Sequence, residues 1–371
     1  MVLEQNKEIG SPARTTGGTF ISDMQQLGIP ERLYHPIRRC RFVSPTDNAS
    51  FDWGEALACV IDIRGTFQYL AERAIEAGAR IRMATTAADP VMDSGVVCGV
   101  SAKTVTGPIA LRSKVLIDAT GYRSSMLKKC GITPGSRRFG VGAEYDLYAP
   151  HCDQDEVVLI VGSQIAPSGY AWVAPWGNKR VRVGVGIIHD DSPEHPDAYL
   201  DVLVERAASF AVNLTGAQPV EYHYGLIPSD GVLEGFVGEG ILGVGDAAGQ
   251  PSALVGEGIR WAVWAGKMAG EVAGEAVRAG DCSKKFLGRY EDRWRREHGR
   301  NLKIAAEINK RIALWDDARW DRGTAMLKKL TPDQFAEALR SNFTAGWAMK
   351  VALQNPGLMK EGLARIAQMI G

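Results

Sequence analysis

The segment that most narrows the folds open to this chain is Gly240-Ile241-Leu242-Gly243-Val244-Gly245-Asp246. It is followed, after a Gly/Pro loop, by Gly256-Glu257-Gly258-Ile259 and a long helical pattern from about 258 to 279. A short apolar run bounded by turn residues reads as a buried strand. It delivers Asp246 beside Ala247-Ala248-Gly249, whose small side chains let backbone press against a ligand. The helix behind it opens with unpaired N–H groups suited to an anion. On this reading Asp246 accepts a hydrogen bond from a hydroxyl such as that of a ribityl chain, and Gly258 and Ile259 donate to a pyrophosphate or a ring edge. Two plainer readings stand beside it. One is an Asp cap among packing glycines; the other is a metal held by Asp246 and Glu257, which no histidine or further carboxylate supports.

The rest of the chain alternates strand and helix patterns, as an α/β protein does. Val60–Arg64 leads into a helix in which Phe67, Leu70, Ala71, Ala74 and Ile75 share a face and Gly78 marks the end. Residues 79–83 alternate as a strand, and 95–120 read as a β-meander closing on Ile117-Asp118-Ala119-Thr120-Gly121. From about 138 to 235 the pattern is β, with strands at 156–162, 180–188 and 222–227 and one helix over about 196–211. Beyond 283 it is helical, and Thr331-Pro332-Asp333-Gln334 has the form of a capping box. At the start, Met1-Val2-Leu3-Glu4 looks like the end of a strand. Glu4 is either an exposed terminal charge or the acid that closes the second strand of a dinucleotide-binding unit on a ribose. No G-x-G-x-x-G accompanies it.

Composition removes several function classes. With 371 residues and 45% apolar side chains, there is material for roughly two domains with real cores. Lys and Arg (43) equal Asp and Glu (43), so no basic footprint for nucleic acid exists. The six cysteines (40, 59, 98, 130, 152, 282) form no C-x-x-C pair, so neither a zinc site nor a disulfide framework is expected. No apolar run reaches the roughly 18 residues of a membrane span. A reduced, cytoplasmic location is expected.

Two motifs carry a resemblance. Val244-Gly245-Asp246-Ala247-Ala248-Gly249 with Gly256-Glu257-Gly258-Ile259 resembles the FAD-binding signature of flavoproteins with the p-hydroxybenzoate hydroxylase fold. Pro167-Ser168-Gly169-Tyr170-Ala171-Trp172-Val173-Ala174-Pro175 resembles the P-x-x-Y-x-W-x-F-P motif of the geranylgeranyl reductase family, with Ala174 in place of Phe. Their order and the helical tail extend the likeness over nearly the whole chain. The resemblance implies that Glu4 holds the FAD ribose. It implies that Arg14-Thr15-Thr16-Gly17-Gly18, with Thr15, Thr16 and Gly18 as contacts, crosses beneath the flavin ring. It further implies that Arg64 touches the cofactor and that Ala87 lies at the adenine. Thr15 stands where archaeal members often carry Cys, and Ala253 where Pro is usual, with Pro251 displaced. The family's first strand, Gly-rich loop and first helix have no counterpart here. A chain starting inside the second strand of that unit is expected to hold FAD poorly.

The expected architecture is an incomplete Rossmann-like FAD-binding domain (1–137 and 236–282), an antiparallel β substrate domain (138–235) and a helical C-terminal region (283–371). The expected chemistry is hydride transfer from reduced flavin to an isolated double bond of a polyprenyl lipid, with electrons from NADPH, a ferredoxin or a deazaflavin. Tyr170 and Trp172 line the substrate slot or are ordinary sheet core. Tyr170 is the first candidate for proton donor and His223 the second. Phe286, Tyr290 and Trp294, then Ile304, Ile308, Ile312 and Trp315, are read as packing. Arg293, Arg295, Arg296, His298 and Arg300 are read as a solvated face that also suits an anionic membrane surface. The rival readings are a flavin monooxygenase or halogenase on the same fold, since Tyr-Ala-Trp-Val-Ala-Pro echoes a halogenase W-x-W-x-I-P, and a remnant without cofactor.

Overall fold

The computed structural model describes residues 1–354; the remainder of the expected helical region, 355–371, lies outside the described residues. The largest element is a seven-stranded sheet. Its spatial order is Gln218–Pro228, Phe139–Tyr148, Arg180–Ile188, Ala166–Gly177, Glu156–Gly162, Arg39–Val43 and Asn48–Asp52. All neighbours are antiparallel except Glu156–Gly162 with Arg39–Val43. The sheet is therefore not confined to 138–235, because two strands of the first fifty-odd residues build its edge.

Strand periodicity sorts the two faces. Val181, Val183, Val185 and Ile187 point to one side and pack with Leu200 and Leu203 of the helix Pro196–Glu205. Arg182, Gly184 and Gly186 point to the other. The helix expected over 196–211 stops at Glu205, and a short 3₁₀ turn, Ala207–Phe210, follows it.

The other parallel pairs stand in two separate pieces. Val2–Leu3 pairs with Ile81–Arg82, and Leu116–Asp118 pairs with Ile241–Gly243, which also carries Val237–Gly238 antiparallel. The strand expected through Asp246 closes at Gly243. Gly245 and Gly249 take positive φ, 61° and 65°, and turn Gly245–Ala248 into a tight 3₁₀ bend. The meander is formed by Thr86–Asp93, Val96–Thr104 and Gly107–Arg112. Helix Ile63–Glu76 begins where the Asp62 side chain accepts from the Gly65 N–H, and Gly78 ends it at φ 89°.

The long helix Ile259–Ala279 buries Ala265, Met268, Ala269, Val272 and Ala276 against Ile241, Leu242 and Leu127. Tyr290 and Trp294 complete that core, both fully buried, so the packing role read for them holds. The capping box at Thr331 is present, with both reciprocal bonds made. One expectation changes. Arg293 and Arg295 lie on the surface side in ion pairs with Glu271, Glu297 and Glu291, but His298 does not join them. A π turn over Arg295–Gly299 shifts the helical register and turns His298 inward between Trp261 and Trp294, at ring distances of 5.2 and 4.7 Å. Burial pushes its pKa below the usual histidine value.

Candidate functional site

A cavity of about 2380 Å³ runs through the molecule. Single-ligand sites occupy about 300–1,000 Å³, so there is room for more than one occupant. One part of the wall is polar and glycine-rich: Glu4, the 14–18 loop, Asp118–Tyr122, Asp246 and Gly256–Ile259. Another is apolar and comes from the C-terminal helices, with Trp315, Trp320, Met326, Leu330, Phe335 and Phe343. Those helices pack on the Asn48–Asp52 side of the sheet, where Phe51 stacks on Phe335 at 3.8 Å.

Eleven of the twelve candidate site residues singled out from the sequence lie on this wall: Glu4, Thr15, Thr16, Gly18, Ala87, Tyr170, Trp172, His223, Asp246, Gly258 and Ile259. Arg64 does not. It sits on the first turn of its helix, exposed, with its guanidinium paired to Glu8. Glu4 follows a parallel strand, donating its own N–H to the Arg82 carbonyl, while its carboxylate accepts from the Asn6 N–H at 2.7 Å. Ligands of open α/β sheets bind at such carboxyl ends.

Asp246 lies on the cavity wall. No protein hydrogen bond or ion pair reaches its carboxylate among the described residues. Desolvation pushes its pKa up to about 6. Gly258 adjoins it: a Cβ there would lie 3.4 Å from Asp246 Oδ1. Gly258 begins the 21-residue helix, and no side chain caps that terminus. An acceptor without a partner thus stands beside free N–H donors and the positive end of a helix dipole, which fits a ligand carrying both hydroxyl and phosphate groups.

Across the middle of the sheet, register aligns His223, Glu144, Gly184 and Trp172 in one row on the cavity face. Gly184 has no side chain, so the Trp172 ring lies over it, and its Nε1 reaches Glu144 Oε2 at 2.7 Å. The Thr16 hydroxyl donates to the same oxygen. Glu144 Oε1 meets His223 Nδ1 at 2.8 Å, and His223 Nε2 meets Glu221 Oε2 at 3.1 Å. Burial alone would lower the His223 pKa. The hydrogen bonds and charges of Glu144, then of Glu221, outweigh burial, so the net pKa lies above the usual histidine value.

In the next row Asp146 faces Arg182. Arg182 is buried and donates from Nε to Asp146 at 3.4 Å and from Nη1 to the carbonyls of Thr16, at 2.5 Å, and Ile61, at 3.0 Å. Its guanidinium also lies 4.6 Å from the Trp176 ring centroid.

Tyr170 fits a proton-donor role poorly. Its hydroxyl donates to the Val255 carbonyl, and burial, then the nearby charges of Glu257 and Glu144, push its pKa well above the ordinary tyrosine value. Releasing that proton would strand a buried phenolate, so the residue acts here as wall. Sequence reasoning overlooked Glu144 and Arg182. The available signal was a pair of charged residues in each of two largely apolar strands, Glu144 and Asp146 in one and Arg180 and Arg182 in the other, which must find partners if buried.

A family model of the geranylgeranyl reductase catalytic domain matches residues 140–226. Digeranylgeranylglycerophospholipid reductase 2 of Methanothermobacter thermautotrophicus is 33% identical over 337 residues, covering 89% of this chain and 85% of that protein. The reductase of the same name from Methanopyrus kandleri is 30% identical over 368 residues, 97% and 91% of the two chains. A geranylgeranyl bacteriochlorophyll reductase-like protein from Thermoplasma acidophilum superposes with a TM-score of 0.85 at 22% identity, over 97% and 91% of the two chains. A flavin-dependent brominase superposes with a TM-score of 0.69 at 18% identity, over 96% and 91%. These two solved structures share the fold.

Proposed function

The chain belongs to the geranylgeranyl reductase family of FAD-dependent flavoproteins, and from that premise we propose that it saturates isolated double bonds in polyprenyl lipids. The observation that carries this reading is the shared cavity. Its wall joins a hydroxyl- and phosphate-binding corner at Asp246 and Gly258 to an apolar aromatic region too large for a small polar substrate. The relatives' names point to a digeranylgeranylglycerophospholipid as the substrate.

The residues present fit FAD. Asp246 would take a ribityl hydroxyl, Gly258 and Ile259 would donate to the pyrophosphate or flavin edge, and Glu4 would accept from the ribose. Ala87 would meet the adenine, and Thr15, Thr16 and Gly18 would meet the flavin ring. Arg64, paired with Glu8 away from the cavity wall, is not among them. When bound and reduced, FAD supplies the hydride for the alkene. The chain does the rest: Tyr170 and Trp172 flank the alkene, and the apolar wall excludes water.

On this reading 1–137 and 236–282 form the cofactor side, while 138–235 together with strands 39–52 form the substrate wall. The described helices after 283 close the slot. A cytoplasmic electron donor (NADPH, a ferredoxin or a deazaflavin) recharges the flavin. No described helix is long and apolar enough to cross a membrane. Exposed Leu314, in the turn after helix Arg300–Ile312, and Met349 and Leu353, on helix Ala345–Gln354, border the apolar cavity wall and support peripheral contact with a lipid surface.

The test is incubation of FAD-loaded protein with dithionite and an unsaturated digeranylgeranyl phospholipid, read by mass spectrometry. Stepwise gain of hydrogen pairs is expected. Full flavin reduction with an unchanged lipid would refute the assignment. Aerobic halogenation or hydroxylation of an aromatic compound would instead favour the fold's other chemistries.

A further inference from the structure

A tryptophan ring that lines a slot needs something to hold its tilt, and at Trp172 the sheet beneath supplies little. A Cβ at Gly184 would collide with the ring, and at Gly186 or Gly142 it would lie 3.2 or 3.8 Å from a ring carbon. Glycines at these positions offer no side chain to wedge the ring from that side. Tyr170 meets it obliquely, at 5.6 Å between centroids and 56° between planes. The directional hold is the hydrogen bond from Trp172 Nε1 to Glu144 Oε2, at 2.7 Å. The Thr16 hydroxyl donates to the same oxygen, while Arg182 separately holds the Thr16 carbonyl. One carboxylate oxygen therefore joins a ring of the sheet to a hydroxyl of the 14–18 loop, both on the cavity wall.

Hydrogen-bond polarity sets the charge of that carboxylate. An indole N–H only donates and an ionised carboxylate only accepts, so Oε2 takes two hydrogens and carries none of its own. Oε1 meets His223 Nδ1 at 2.8 Å, and His223 Nε2 meets Glu221 Oε2 at 3.1 Å. With a carboxylate at each nitrogen, the doubly protonated ring is the form that donates at both ends. The raised His223 pKa agrees with this pairing. Glu144 and His223 are each 4% exposed at their side chains, so the pair is buried. We propose that Glu144 is the positioning residue of the slot: it sets the Trp172 ring and the Thr16 hydroxyl together, and His223 secures it from behind. No proton passes between them. The consequence for catalysis rests on the reductase reading, in which Trp172 flanks the alkene. Tail affinity comes from the wide apolar wall, whereas the aim of the alkene depends on the ring. Disturbing Glu144 should therefore act on kcat rather than on KM.

Glu144→Gln reverses the polarity behind the clamp. Glutamine keeps an acceptor oxygen on Trp172 and Thr16 only if its amide N–H faces His223 Nδ1, which must then be a lone pair. The neutral ring, with its proton on Nε2 toward Glu221, suits that arrangement, and the charged ring does not. The other charges about His223 are Asp146 on strand Phe139–Tyr148 and Arg180 and Arg182 on strand Arg180–Ile188, both paired with Asp146. Arg14 stands on the 14–18 loop, its carbonyl packed against Gly225. The ring's own hydrogen bonds go to Glu144 and Glu221, so those two decide its state.

Two measurements test this. The first needs no turnover: NMR of the indole and imidazole groups in the cofactor-free protein, with the Trp172 N–H resonance identified by its loss in Trp172→Phe. In the parent that resonance should lie downfield on both sides of the His223 titration, because the carboxylate accepts throughout. In Glu144→Gln the His223 titration should fall by about 1–3 pH units, and the Trp172 resonance should lie downfield only above it. A Trp172 resonance indifferent to both the substitution and pH would overturn the proposal. The second is steady-state lipid saturation by the FAD-loaded enzyme. Below its His223 titration Glu144→Gln should lose about 10- to 100-fold in kcat with KM within about 3-fold of the parent, and the ratio of variant to parent kcat should rise above it. A loss confined to KM, or a ratio that stays constant with pH, would overturn the role of Glu144 while leaving the reductase reading intact. A parent enzyme without saturating activity would overturn that reading, and the Trp172 resonance would still decide whether Glu144 sets the ring.

Discussion

Replacing Asp246 by asparagine should move stability and cofactor affinity in opposite directions. The native carboxyl is pushed by desolvation from 3.8 to about 6, so holding it ionised at neutral pH costs about 3 kcal/mol. The raised pKa sets the sign. The folded protein binds this proton more tightly than the unfolded chain, so the penalty is absent below about pH 4, grows to about pH 6, and is complete above it. Asparagine removes the charge. The cofactor-free variant should therefore be more stable than the parent at pH 7.5 and indistinguishable at pH 4. For 371 residues the melting entropy is about 0.8 kcal/mol/K, which converts the gain to a rise of about 4 °C. With FAD the order reverses. A hydrogen bond to a charged acceptor contributes about 1.5–3 kcal/mol, so the variant should bind FAD about 10- to 100-fold more weakly. Thermal melts at pH 4 and 7.5, with and without FAD, and a flavin-fluorescence titration read both effects. No stability gain at pH 7.5, or FAD affinity equal to the parent, would refute the reasoning.

Gly184→Ala should place a methyl group inside the Trp172 ring, break the Trp172–Glu144 bond and lower stability by about 1–3 kcal/mol. Lipid saturation should fall while the flavin spectrum is retained, as absorbance and product analysis will tell. Tyr170→Phe should lose about 1–3 kcal/mol in urea melts because the Val255 carbonyl forfeits its donor. Its saturation rate should stay within about 10-fold of the parent, since the proton does not come from this hydroxyl. Arg64→Ala removes only an exposed pair, so stability should shift by less than about 1 kcal/mol and the FAD titration should be unchanged.

The local parts of the fold were legible where one short signal decides the outcome. Gly78 ends a helix, Thr331 and Gln334 cap another, and alternating valines at 181, 183 and 185 face a helix across a sheet. The cavity corner at Asp246 and Gly258 was legible for the same reason, since strand, tight turn and helix start fall within twenty residues. What escaped depends on register. Nothing local shows that Glu144 will stand beside His223 and Trp172, because those neighbours are set by pairing strands up to about eighty residues apart. Strands 39–52 escaped because their partner, Glu156–Gly162, is over a hundred residues away. His298 escaped because a charged, helical pattern gives no sign of a π turn that rotates one residue inward.

The buried Arg182 guanidinium has a mechanical consequence. It is anchored to Asp146 in the sheet, yet its other hydrogens clasp the Thr16 and Ile61 carbonyls, which belong to the opposite half of the molecule. Swinging that loop aside would cost the buried guanidinium its bond to the Thr16 carbonyl, about 1.5–3 kcal/mol. The 14–18 loop on one wall of the cavity is thus riveted to the strands of the facing sheet, and whatever the cavity holds must enter around a fixed joint rather than past a swinging door.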